Sequence, residues 1–444
     1  MDLYDIVVVG GGMAGLNTCF ELSKKNYSGR VLLIEGSGRF GGRVHTSRKT
    51  LTGKKASLGT FQYESGAGRL GKNQKYMMAL LKDLQLLSKQ SSITNIVTPL
   101  LNPSEEQDLE EDLEKKEQLY FSTIFNYVFK KSKQLSKHQL QFMTFKSLIE
   151  RYTSQADWEF LYTYYGYTAE FVHLNAYDAL KLFKNDFHLK NKYFVLTCGF
   201  DQIYMKLISQ LKKKKNYTLV LEHYLRNIIP MVSHDRYTKL YQLDIDTNNG
   251  IKKILANQVV CAIPQKQLIE VPYLKKSIPK VYLNSVQGIP LCRIYAIYPI
   301  HKKTGKVWFH SIGKVTVNSA IQYIIPIDYK RGLIMISYAD KYANFWKQTV
   351  TENNTNLILH NLLTKQFPTK HIPNPFFVKV YHWPVGVHYF KKGVDSTIIT
   401  KEMIHPIPNQ SIYVCGEAFS NHQGWIEGAL ESSTKVAKYI LKRK

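Results

Sequence analysis

Two glycine-rich turns with an acid between them are the first residues here whose spacing can do chemistry. Gly10, Gly12 and Gly15 form Gly-x-Gly-x-x-Gly. They follow an apolar run, Asp5–Val9, and open a helix read as about Met13 to Lys24. A second apolar run, Arg30–Ile34, ends at Glu35, twenty residues after Gly15. Strand, glycine turn, helix, strand and acid make a dinucleotide site. The first glycine turns tightly, the second lets backbone approach a pyrophosphate, and the third lets helix pack on strand. The helix N-terminus at Met13 and Ala14 attracts the diphosphate. Glu35 suits a pair of ribose hydroxyls and would repel a 2′-phosphate, which disfavours NADP. The bland reading is a glycine turn with no ligand. Next comes GRFGGRVHT. Gly41 and Gly42 permit a second close backbone approach, and Arg43 supplies a fixed positive charge for a diphosphate. A nicotinamide site does not need this second element.

The other end of the chain reads CGEAFSNHQGWIEGAL, Cys415 to Leu430. SIYVCG has the look of a short buried strand. From Ile426 onward apolar residues recur at helical spacing. Small residues at such a junction let a backbone approach a ligand and aim a helix N-terminus at it.

Together VVVGGGMAGL, Glu35, GRFGGR and GEAFSNHQGWIEGAL resemble the flavin-containing amine oxidase family, which includes monoamine oxidases, polyamine oxidases and L-amino-acid oxidases. The resemblance implies an α/β fold: a Rossmann-like FAD-binding domain (1–74, 192–275, 404–444) interleaved with an α+β substrate domain (75–191, 276–403) of mixed sheet plus helices. It implies FAD contacts at Gly10, Gly12, Met13, Ala14, Gly15, Glu35, Gly36, Arg39, Gly41, Gly42 and Arg43. Further contacts fall at Gly66, Ala67, Gly68, Arg69, Leu225, Gly416, Glu417, Trp425 and Ile426. Trp425 stands where the family has one wall of an aromatic cage, and His388 or Tyr389 would supply the second. Monoamine oxidases attach flavin through a cysteine in a stretch resembling GVHYFKKG; Val387 or His388 stands there instead, so the FAD should be non-covalent. The family carries a lysine near the flavin on a strand resembling LCRIYAIYP, and Arg293 is the nearest match. An arginine cannot deprotonate at working pH, which bears on how the reduced flavin meets oxygen. Arg69 resembles the arginine that binds the substrate carboxylate in L-amino-acid oxidases; structural and cofactor-contact roles stay open for it.

The activity implied is oxidation of an amine C–N bond to an imine, with O2 as acceptor and H2O2 as product. An L-amino-acid oxidase is the alternative that rests on Arg69. An alternative of another class is a catalytically decayed, FAD-stabilised binding protein, with nucleic acid as one candidate partner. It is motivated by the net charge of +26, from 60 Lys+Arg against 34 Asp+Glu, which suits an anionic surface or nucleic acid. The lysines are scattered, so a solvated surface explains them more simply. No catalytic triad or metal-ligand cluster stands out.

The 444 residues allow two or three compact units. Five scattered cysteines, no signal-peptide pattern and no transmembrane run are read as cytoplasmic. Residues 75–190 read as mainly helical, with a capping box at Ser104 and Gln107, an acidic helix through about Lys131, and helices Leu140–Tyr152, Asp157–Tyr164 and Ala176–Lys184. TLVLEHYLRNI reads as one strand. LCRIYAIYP, VWFH, IQYIIP and LIMISYA read as the strand-rich part of the substrate domain.

Overall fold

A computed structural model of the chain describes residues 1–93, 100–101, 111–185, 192–231 and 239–442. Val7, Val8, Leu33 and Ile34 are buried runs of branched side chains, as in strands covered on both faces. Leu3–Val9 pairs in parallel with Val31–Ile34 on one side and with the twelve-residue strand Gly250–Cys261 on the other. Val31–Ile34 pairs in turn with Tyr217–Val220, which forms one edge. The first half of Gly250–Cys261 joins an antiparallel meander with Leu240–Thr247 and Tyr224–Met231. Its last residues, Val259 to Cys261, pair in parallel with Ile412–Val414. One long strand thus holds the first strand of the chain and the last.

The helix Met13–Lys24 and the terminal helix Ile426–Lys442 pack together beside this sheet. Leu16, Cys19 and Phe20 meet Leu430, Val436 and Ile440 in one core. The small residues between them earn their place: Asn17 reaches Ser433 Oγ at 2.9 Å.

A second sheet runs in the order Phe377–Phe390, Val286–Ile297, Leu333–Ala339, Tyr323–Asp328, Val315–Val317, Leu100–Leu101. Helices Ala343–Thr351 and Thr355–Gln366 cover one side of it. The helical stretch between 111 and 185 builds a core of aromatic and leucine side chains. The expected architecture, a nucleotide-type α/β sheet together with an α+β part of mixed sheet and helices, is the one observed.

Four local expectations need correction or relocation. TLVLEHYLRNI is two strands, Tyr217–Val220 and Tyr224–Met231, at opposite edges of the first sheet. Glu222, with φ of +58°, turns the chain between them. VWFH is a turn region, not a strand. The helix expected at Leu140–Tyr152 is two helices, Lys137–Gln141 and Phe145–Tyr152. Thr144 breaks them, because its hydroxyl caps the second by accepting from Ser147 N. The acidic helix is Glu111–Ser132, whereas the Ser104–Gln107 capping box lies outside the described residues.

Candidate active site

The loop after each central strand of the first sheet ends at one cavity of about 840 Å³. At its first end is the glycine turn. A side chain at Gly15 would collide with the carbonyl oxygen of Gly10, so the third glycine serves helix–strand packing and does not line the cavity. Gly10, Gly12, Met13 and Ala14 do line it. Glu35 is held in place by Gly11 N (2.7 Å) and by Ser37 N and Oγ (2.9 and 2.7 Å). Gly36 and Leu225 line the same end, where the chain crosses between its two edge strands.

Gly41 and Gly42 run beside Gly12, and Gly41 N bonds Gly11 O at 2.9 Å. Arg39 ties this loop together by donating to the carbonyls of Phe40, Gly42 and Val44. Arg43 crosses to the other end of the chain: its guanidinium donates to Gly386 O at 3.0 Å and pairs with Glu417 at 2.8 Å. Glu417 also accepts from His388 N, His388 Nδ1 and Gly424 N at 2.8–3.0 Å. Burial pushes against its charge, but Arg43, His388 and the Gly424 amide hold this carboxyl well below the usual range. Glu417 is therefore a buried anion that locks the GEA turn to Arg43 and to the strand Phe377–Phe390. His388 is wholly buried in that lock and is not among the residues lining the cavity; Tyr389, its neighbour, is.

Gly66, Ala67, Gly68 and Arg69 line the middle of the cavity, and Gly416, Glu417, Trp425 and Ile426 close its side. Trp425 stacks on Tyr193 with ring centroids 6.1 Å apart, and the Arg69 guanidinium lies 5.4 Å from the Trp425 ring. Arg293 donates to Glu64 O at 2.7 Å and sits 4.5 Å from the Tyr338 ring centroid. It lines the cavity beside Gly68.

Several cavity groups were not singled out from sequence: Tyr167, Glu170, Tyr338, Asp340 and Trp383. Asp340 is saturated by Thr168 N, Thr168 Oγ1, Ala169 N and Lys341 N. Glu170 accepts from the Tyr389 hydroxyl at 2.7 Å, while its Oε2 makes no hydrogen bond. Burial and the nearby Asp340 raise the Glu170 carboxyl to about 7. The one sequence signal for Glu170 is an acid inside the apolar run AEFV.

These residues fit a flavin dinucleotide. The carboxylate for the ribose, the glycine cradle with its helix N-terminus and the Arg43 charge follow one another along one cavity. Gly416 has φ of +141°, and a Cβ there would project into open space, so backbone itself forms that part of the wall.

The chain matches the flavin-containing amine oxidoreductase family over residues 13–441. It is 21% identical to an uncharacterized protein of Acanthamoeba polyphaga mimivirus, over 97% of this chain and 92% of that one. A short stretch is 44% identical to L-amino acid oxidase of Cerastes cerastes, covering 12% of this chain and 10% of that enzyme. Putrescine oxidase bound to putrescine has the same fold, with a TM-score of 0.71 at 16% identity over 99% of both chains. The chain belongs to the flavin-containing amine oxidoreductase family. Its class is that of the FAD-dependent amine oxidases, and its cofactor is a flavin. Among the described residues no helix is long and apolar enough to cross a membrane.

Proposed function

We propose that this chain oxidises the C–N bond of a small amine to an imine, with O2 accepting the electrons and leaving as H2O2. The observation that carries the reading is the single cavity joining Glu35 and the glycine turns to an aromatic end at Trp425 and Tyr389. FAD would be held by Glu35, Gly12, Gly42, Arg43 and Gly416 in segments 1–74, 192–275 and 404–444. When bound, it supplies the acceptor for a hydride equivalent from the amine's α carbon. The chain's own share is placement and electrostatics. Trp425 would present its ring to the substrate, and the terminal helix, which begins at the cavity with Ile426, would favour negative charge on the cofactor through its N-terminus. Arg293 adds a cation that cannot be titrated away. No cysteine occurs in Trp383–Val387 or at His388, which supports non-covalent FAD. The five unpaired cysteines suit a reducing, cytoplasmic compartment.

A second reading, an amino acid as substrate, is favoured by the charge at the aromatic end. Arg69 and Arg293 are permanent cations there, against the Asp340 carboxylate and a Glu170 that is only part-ionised near neutrality. Burial, helped by the Arg69 charge, pushes the Lys314 amine down to about 7. Such a field welcomes a carboxylate, which a guanidinium grips bidentately.

The test is a panel of amines and matching amino acids with a peroxide readout, on wild type and Arg69→Ala, with FAD occupancy measured. If Arg69 holds a carboxylate, the variant should lose at least a hundredfold in kcat/KM on the amino acid, as breaking a desolvated pair costs about 3–5 kcal/mol. Loss on the amine should be far smaller. Equal losses on both would leave the simple amine reading. An FAD-bound protein that produces peroxide from no member of the panel would point instead to a decayed, binding-only protein.

A further inference from the structure

At neutral pH an amine substrate arrives as an ammonium ion, whose nitrogen has no lone pair to drive C–H cleavage at the neighbouring carbon. Either the scarce free amine binds from solution, or a group in the cavity takes that proton. The carboxylates lining the cavity can be sorted by what already occupies them. Glu35 lies at the glycine-turn end and is bonded by Gly11 and Ser37. Glu417 is fully engaged by Arg43, His388 and Gly424. Asp340 accepts four hydrogen bonds from Thr168, Ala169 and Lys341. Glu170 remains. One of its oxygens accepts from Tyr389, and Oε2 has no partner.

Its location is the right one. The Tyr389 hydroxyl that bonds Glu170 lies next to Gly424, where an added Cβ would sit 3.4 Å from it. Trp425 follows directly. Glu170, Tyr389 and Trp425 thus share one corner of the cavity, and the Arg69 guanidinium lies 5.4 Å from the Trp425 ring.

We propose that Glu170 is a catalytic base that takes the proton from the substrate's ammonium group. The inference rests on the amine-oxidation reading above. In the step, one N–H bond of R–CH2–NH3+ breaks, an O–H bond forms on the Glu170 carboxylate, and neutral R–CH2–NH2 is left; no electrons are transferred. Tyr389 orients the carboxylate and keeps its hydrogen bond in either protonation state. The groups facing Glu170 are Asp340, which disfavours its ionisation, Arg69, which favours it, and the hydroxyls of Tyr389, Tyr165 and Tyr323. The balance leaves the carboxyl at about 7, where a base is most useful near neutral pH.

The variant is Glu170→Gln, which can still accept from Tyr389. Wild-type kcat/KM should rise with pH through about 7 and level off. The variant must wait for free amine, so its kcat/KM should climb tenfold per pH unit towards the amine's own pKa. At pH 8 it should be down on the order of a hundredfold for an alkylamine of pKa about 10. An amine made weakly basic by fluorine substitution, already neutral at pH 8, should be spared. A second readout needs no turnover: binding of tert-butylamine, which has no α C–H, measured by calorimetry in two buffers of different ionisation enthalpy at pH 8. Wild type should release almost no proton to buffer and Glu170→Gln about one. Equal losses on both kinds of amine, or equal proton release, overturn the proposal while leaving amine oxidation intact. A wild type that neither oxidises nor binds any amine overturns both.

Discussion

Glu35 accepts two backbone amides and a serine hydroxyl, so its carboxylate is fixed in direction before any cofactor arrives. Charge-assisted bonds to a ribose are worth about 1.5–3 kcal/mol. Glu35→Ala should therefore weaken FAD binding by roughly ten- to a hundredfold, read by quenching of flavin fluorescence on titrating the apoprotein. An unchanged affinity would mean that the carboxylate does not meet the cofactor. Glu417 makes a different prediction, because its partners lie within the protein. Glu417→Gln leaves Arg43 without its anion, but Arg43 is about a third exposed, so the loss should be near the low end of the buried range, about 2–3 kcal/mol. The sign with pH follows from the carboxyl being held below its usual value. The stabilisation is present above the unfolded pKa of about 4.5 and is lost as pH falls through the lower folded value. The gap between wild type and Glu417→Gln in urea should be full at pH 6 and shrink at pH 3.

At the scale of the element, the terminal helix Ile426–Lys442 is aimed by its first turn. Glu427 accepts from Tyr76 N and Met77 N at 3.0 and 2.8 Å, the opening amides of the helix Lys75–Asp83. Glu427→Ala strands both donors, which costs about 1–3 kcal/mol, and frees the helix start next to Trp425. Stability should fall by that amount, and Trp425 should become more open to acrylamide quenching; unchanged quenching would show that the tryptophan is fixed by Tyr193 alone. The helices Met13–Lys24 and Ile426–Lys442, the strand SIYV and the glycine turns were legible in the sequence because each is set by local pattern: glycine spacing, apolar period, a run of branched residues. The break in TLVLEHYLRNI was not, since both halves are good strand sequence and only the crossing from one sheet edge to the other separates them. Thr144 could have been read as a helix cap, but the apolar period on either side masked it. Glu170, Tyr338 and Asp340 escaped for a different reason. Helix Ala169–Val172 and strand Leu333–Ala339 are far apart in sequence, and only their packing brings these side chains to one cavity. His388 shows the reverse: an aromatic next to Tyr389 reads as a wall, yet strand alternation turns its ring towards Glu417 instead.

For the molecule as a whole, burying acids carries a cost when they ionise. Burial raises both Glu64 and Glu170 to about 7. Raised carboxyls bind protons more tightly when folded, so stability should fall as pH rises from about 4.5 to about 7 and then level off. Glu64→Gln should flatten part of that slope and raise the Tm of the apoprotein at pH 8 more than at pH 5; an equal effect at both pH values would show that Glu64 titrates normally. Lastly, the strand Gly250–Cys261 is clasped by Leu3–Val9 on one side and Ile412–Val414 on the other, and Met13–Lys24 rests on Ile426–Lys442. During synthesis the glycine turn emerges first and must then wait some four hundred residues for the GEA turn and Trp425. No ribosome-bound fragment ending before about 430 can hold flavin across both ends, so acquiring the yellow cofactor reports that translation has run through the terminal helix. Nascent chains arrested at successive lengths, each carried on a C-terminal extension long enough to span the exit tunnel, should stay colourless until the terminal helix is included.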